Sequence, residues 1–288
     1  MIIFISFCVV YGVLLMFKGA FAALTLSLIL TCSTAFAANV ESTGAFTRQG
    51  LQALDKNQPQ LAIELFKKAI KANESDSCYY LGRMYETGAG VQRDIHKALA
   101  LFQQGAKLNN PRALNQLGLL YLGSPAVLQD FGHARTYIKR AAEVGLAEAQ
   151  FNYASLLLEG KVVEMNPEEA NSWLHKAAKQ SYIPAQLRLA RDYQLGVGIK
   201  KDDKQAFNWY NKAALHGDPL AQYEVGLRYE KGLGIKANPI TAHMYFNLSL
   251  AQDYRQALPE LRQLTATLSR KQLLAAQEKA RNWRPLKN

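Results

Sequence analysis

Hydrophobic positions in this chain come in short amphipathic blocks. In the stretch AQLRLARDYQLGVGIKKDDKQAFNWYNKAALHGD, Ala185, Leu189, Ala190 and Tyr193 stand at spacings 0, 4, 5 and 8. At about 100° per residue these positions share one face of a helix. Gly196 follows and suits the left-handed residue that ends a helix. Ile199 is the apolar plug of a loop, and Asp202 has the chemistry of an N-cap. A second block, Ala206, Trp209, Tyr210, Ala213 and Ala214, predicts a second helix. The unit is therefore a pair of antiparallel helices joined by a short loop.

This unit repeats. Leu81-Gly82, Leu117-Gly118, Tyr153-Ala154, Leu189-Ala190 and Val225-Gly226 follow one another in steps of 36 residues without insertion or deletion. Three further columns keep the same phase: Tyr85, Tyr121, Leu157, Tyr193 and Tyr229; Ala98, Ala134, Ala170, Ala206 and Ala242; Leu101, Tyr137, Trp173, Trp209 and Tyr245. Asp94, Asp130, Asn166, Asp202 and Asn238 form a column of N-caps, and Pro167 and Pro239 occupy the first helical position behind two of them. One helix pair cannot bury its own apolar face, so stacked neighbours must supply the core. The expected fold is all-α, a right-handed α-solenoid of stacked antiparallel helix pairs. Residues 38–75 form a shorter first unit of tetratricopeptide-like length, in which Ala62, Leu65, Phe66 and Ala69 keep the phase. Residues 76–254 hold five full repeats and 255–288 a helical cap. Within that cap Ser269 is placed to start a last helix that ends near Trp283.

The recurring pattern A-x-x-x-L-G-x-x-Y-x-x-G-x-G-V/I-x-x-D/N-x-x-x-A-x-x-W-x-x-K-A-A-x-x-G resembles the Sel1-like repeat, a relative of the tetratricopeptide repeat. It stands here as YYLGRMYETGAGVQRDIHKALALFQQGA and QYEVGLRYEKGLGIKANPITAHMYFNLSLA, among others. Ser124-Pro125-Ala126 and Lys161-Val162 depart from its Gly-x-Gly loop. The resemblance implies a non-enzymatic scaffold or adaptor that binds a protein partner, in exported bacterial members within the cell envelope. Its cysteine-rich branch implies an alternative, weak cell-wall or β-lactam binding and hydrolysis, but that branch carries paired cysteines in every repeat. Here Cys78 stands alone after residue 37.

Composition changes the picture at the N-terminus. The 288 residues carry 34 Lys and Arg against 23 Asp and Glu, a net charge of +11, but the first 37 residues hold one charge, Lys18. Met16-Phe17-Lys18, the apolar run from Ala20 to Thr31 and Ala35-Phe36-Ala37 together have the layout of a cleaved export signal. Met16 then serves as a candidate start and Ala38 as the first mature residue, for a periplasmic or secreted protein. An uncleaved membrane anchor and a lipoprotein on Cys32 are the alternatives; Thr31 before that cysteine suits the latter poorly.

Candidate chemistry adds little. His96, His133, His175, His216 and His243 show no i, i+4 pairing, and no C-x-x-C or H-E-x-x-H occurs, so neither metal nor cofactor is expected. Glu168-Glu169 and Asp202-Asp203 fall at helix N-termini, where the dipole accounts for them. Lys139-Arg140, Lys200-Lys201 and Lys212 are scattered over outer positions without an aromatic platform, so nucleic acid is not an expected partner. The first helix of each pair, by contrast, carries columns facing away from its core stripe. Tyr79, Asn115, Phe151, Leu187 and Tyr223 form one, with Arg83 and Arg191 a turn further on. Aromatics beside Arg suit a partner-binding groove on the concave side. The alternative is that these residues pack against the first helix of the next repeat.

Overall fold

The computed structural model describes residues 44–286. Fourteen α-helices and no strand occur among them, and none is long and apolar enough to cross a membrane. In chain order they are α1 (Ala45–Asp55), α2 (Pro59–Lys71), α3 (Asp76–Thr87), α4 (Ile95–Lys107), α5 (Pro111–Gly123), α6 (Phe131–Val144) and α7 (Ala147–Glu159). There follow α8 (Pro167–Lys179), α9 (Ile183–Leu195), α10 (Asp203–Leu215), α11 (Pro219–Lys231), α12 (Pro239–Leu250), α13 (Ala257–Thr267) and α14 (Arg270–Asn282). Odd-numbered helices α1 to α11 are the A helices of six pairs and even-numbered ones the B helices. From α1 to α13 each helix packs on its successor, so the pairs stack into an all-α solenoid. The export signal expected at residues 1–37 lies outside the described residues.

Local signals explain the helix ends. Asp94, Asp130, Asn166, Asp202 and Asn238 are all N-caps of B helices, each side chain accepting from the backbone N–H three residues on at 2.9–3.0 Å. Gly196 ends α9 at φ 77°, as the sequence pattern requires. Ser124, which departs from that pattern, ends α5 in an extended conformation instead (φ −75°, ψ 127°). Each turn from a B helix to the next A helix needs a left-handed residue. Gly145 and Gly217 supply it freely, while Asn73, Asn109, Ser181 and Asp253 hold φ of 55–64°.

Small residues set the helix spacing. Ala98, Ala134, Ala170, Ala206 and Ala242 are all fully buried. The large filler between the helices of a pair is the column Phe66, Phe102, Ile138, Leu174, Tyr210 and Phe246, with no member more than 4% exposed. The neighbouring bulky column, singled out in the sequence, sits partly at the seam between B helices. Trp209 and Tyr245 are 6% exposed, Trp173 is half-buried, and the ammonium groups of Lys176 and Lys212 lie 3.7 and 3.9 Å over Trp173 and Trp209. At the C-terminal end α14 packs on α12 and covers the last pair. Its Ser269 makes a capping box with Gln272, and Trp283 is its C-cap.

Candidate partner-binding face

Polar side chains lace the A helices to their neighbours from repeat to repeat. Asn110 Nδ2 donates to Asp76 at 2.8 Å, Arg112 to the Tyr80 hydroxyl at 3.2 Å, and Gln116 Nε2 to both oxygens of Glu86 at 2.9 and 3.0 Å. These bonds join α5 to α3. Buried Gln150 and Gln186 donate to carbonyls at the end of the preceding B helix, those of Ala142 and Ala178. The A helices are thus held in register by polar groups as well as by apolar packing.

Within this lacework the sequence candidates have different fates. Asn115 is 2% exposed: it donates to Glu148 at 3.2 Å and accepts from Asn152 at 3.0 Å, so it is a strut between α5 and α7 and no part of a surface. Tyr79 is half-buried, its ring edge-on to Tyr80 (5.3 Å) and tilted on Phe102 (6.3 Å), and burial raises its hydroxyl pKa. Tyr223 packs on Phe246 and Tyr254, and its hydroxyl donates to Glu260 on the cap helix α13. Burial, with Glu260 beside it, pushes that hydroxyl up to about 12. Phe151 is half-buried against Tyr182. The Arg83 side chain is 41% exposed but its guanidinium is paired with Glu86 at 2.8 Å. Packing within the repeat, on α4, and on neighbouring units, α7 and α13, therefore claims much of this column.

Leu187 and Arg191 come together in the open. Both line a cleft of about 430 Å³ between α9 and α11, with Leu195, Leu220 and Glu224 around it and Tyr210 at its back. Arg191 is exposed and makes no hydrogen bond or ion pair among the described residues. Arg188, on the same wall, is held by Asp192 at 3.0 Å. Asp192, itself 1% exposed, has its carboxyl pKa raised by burial against the pull of Arg188. The sequence pattern did carry a signal for this place. Met84, Leu120, Leu156, Asp192 and Arg228 form one 36-residue column, and its last two members break an apolar run.

On the B-helix side a second cleft, of about 660 Å³, opens between α6 and α8 over Tyr153. Arg135, Lys139 and Arg140 are balanced there by Glu143, Glu164 and Glu169. No group of three or more potential metal-ligating side chains occurs among the described residues. Cys78 is fully buried, and burial pushes its thiol up to about 11, well out of the reactive range.

The model of the Sel1 repeat matches residues 44–74, 75–110, 111–146, 147–182, 183–218 and 219–254, in unbroken succession. The chain belongs to the Sel1 repeat family. The short first pair, tetratricopeptide-like by its length, is one of the six matched Sel1 repeats. Among solved structures, a Sel1 repeat protein from Oxalobacter formigenes is similar at 27% identity with a TM-score of 0.70, over 82% of this chain and 96% of that one. A protective antigen of uropathogenic Escherichia coli strains with an SLR fold is similar at 26% identity and a TM-score of 0.69. That likeness covers 78% of this chain but 49% of the antigen, so the chain spans about half its length. A search of curated proteins finds no match. Sel1 repeat proteins are in general protein–protein interaction scaffolds, and the fold is typically non-catalytic.

Proposed function

We propose that this Sel1 repeat protein is a non-enzymatic scaffold that binds a protein or peptide partner on its A-helix face, in the bacterial cell envelope. The observation that carries the reading is the cleft between α9 and α11. It joins the apolar side chains of Leu187, Leu195 and Leu220 to an unpaired guanidinium on rigid, mutually braced helices. Aromatic or aliphatic anchors beside Arg, on a surface that need not reorganise, are what protein interfaces favour. Residues 1–37, read as an export signal, support a periplasmic or secreted location; left uncleaved, the same segment would tether the scaffold to a membrane. Protein is the expected partner, without nucleic acid, metal or cofactor.

Crosslinking in envelope fractions, followed by purification of the tagged full chain, tests this. A discrete partner retained by the wild type and lost from Leu187→Ala/Arg191→Ala, at unchanged melting temperature, is the expected result. A partner held equally by both would place recognition on another surface.

A further inference from the structure

The repeat phase exposes a constellation that belongs to one place in the stack. In the buried column Met84, Leu120, Leu156, Asp192, Arg228, the last two positions carry charge and are 1% and 2% exposed. In the filler column, Tyr210 replaces the Phe, Ile or Leu of its equivalents. Two of the departures, Tyr210 and Arg228, meet between the fifth and sixth pairs, while Asp192 is paired with Arg188 on α9. Arg228 Nη1 donates to Glu224 at 2.6 Å and its Nη2 to Gln194 Oε1 at 2.9 Å. Its guanidinium lies 4.3 Å over the Tyr210 ring, and the Tyr210 hydroxyl donates to the same Gln194 oxygen at 3.3 Å. Arg228 Nε is buried without a partner.

Buried charge opposes folding unless geometry and hydrogen bonding are nearly ideal, and here one donor is left unsatisfied. Every other repeat with a buried residue in this column uses an apolar one. The cluster is therefore not a requirement of the fold. Its effect is on the cleft: Gln194, Tyr210 and Glu224 all line it, and Arg228 fixes all three from behind. The charges there also sort themselves. Arg228 neutralises Glu224, and Asp192 neutralises Arg188. What remains facing solvent is the Arg191 guanidinium, next to Leu187, Leu220 and a Leu195 that is 59% exposed.

We infer that this cleft receives a segment of a partner protein in which an apolar side chain adjoins a carboxylate. The apolar side chain lies on the leucines, and the carboxylate accepts from Arg191, whose fork matches it. The inference rests on the reading that the A-helix face binds protein, and it names the subsite and the chemistry recognised.

A phage-displayed library of random dodecapeptides, panned on the full chain, provides the test. Wild type is expected to enrich clones with Leu, Ile or Phe beside Asp or Glu. Their retention should fall at least tenfold on Arg191→Glu and on Leu195→Ser, while Arg135→Glu on the B-helix side changes nothing. Melting temperatures of all three variants should match wild type. Enrichment of basic or uncharged clones overturns the inferred chemistry. Acidic clones kept by Arg191→Glu but lost on Tyr79→Ala or Phe151→Ala overturn this cleft and leave the A-helix face standing. Clones lost only on Arg135→Glu, or no enrichment over background, overturn both.

Discussion

Gly82 on α3 lies against the ring of Phe102 on α4, so closely that a Cβ at Gly82 would sit 2.5 Å from Phe102 Cε1. The same relation joins Gly50 to Phe66 and Gly226 to Phe246, at 2.4 and 2.6 Å. Where the filler is Leu174 or Tyr210, the facing residue is Ala154 or Ala190. The small and large positions of each pair are therefore matched across the helix interface. Gly82→Ala gains helix propensity of about 1 kcal/mol but overpacks the core, which costs about 1–3 kcal/mol. Net destabilisation is expected, with relief when Phe102→Leu is added. A double-mutant cycle in urea checks the coupling; additive effects would contradict the contact.

Trp209 is 6% exposed in the body of the repeat, whereas Asp202 lies at the helix start with its side chain on the Gln205 N–H. Trp209→Ala is expected to cost about 3–5 kcal/mol. Asp202→Ala loses a cap, at about 1 kcal/mol. Thermal melts should rank them in that order.

The repeat period, the caps and the C-terminal helix were legible because each depends on local chemistry repeated in phase. Asp94 and its equivalents cap because a short carboxylate or amide reaches its own helix N-terminus wherever that helix lies. Ser269 likewise needs no distant partner. The face was less legible. Asn115 resembles Phe151 and Leu187 in phase, but Glu148 and Asn152 of the next A helix close over it, and tertiary neighbours do not show in a period. Tyr223 is covered by Tyr254, the last residue of the sixth repeat, and by Glu260 beyond the regular repeats. The Asp192 and Arg228 departures stand in a column whose other members are core, so the period does not mark it as a site.

Glu224 is the closest carboxylate to the buried Arg228 guanidinium. Glu224→Ala strands that charge and is expected to cost about 3–5 kcal/mol, whereas Asp192→Leu with Arg228→Met restores the apolar character of Leu120 and Met84 and is expected to be neutral or stabilising by about 1–4 kcal/mol. Urea denaturation distinguishes the two. A Glu224→Ala change below about 1 kcal/mol would argue against a buried pair.

Burial holds the His243 imidazole below its ordinary value of 6.5. Nε2 meets Thr265 Oγ1 at 3.1 Å and Nδ1 meets the Asn247 amide at 3.1 Å. The Thr265 hydroxyl already donates to the Leu261 carbonyl, so Nε2 carries the proton and Nδ1 accepts. Protonation at Nδ1 would set two donors against each other. His175 is lowered too, by burial and by Lys179 and Lys212. Below about pH 6.5 the unfolded chain binds more protons than the folded one. Stability is thus full above that value and falls as pH is lowered through it. Asp192, whose pKa is raised, opposes this only in the carboxylate range further down. The melting temperature should drop between pH 7.5 and 5.5, and less so in His175→Gln/His243→Gln. Equal drops would contradict the assignment.

The most direct test of partner binding on the A-helix face is site-specific photocrosslinking of the full chain in the cells that make it. A photoreactive residue at Leu195, 59% exposed beside Arg191, is compared with one at Leu128, 90% exposed in the α5–α6 loop. The account predicts a discrete crosslinked protein from position 195, lost when Arg191→Glu is added, and none from 128. A product from 128 with none from 195 would contradict it.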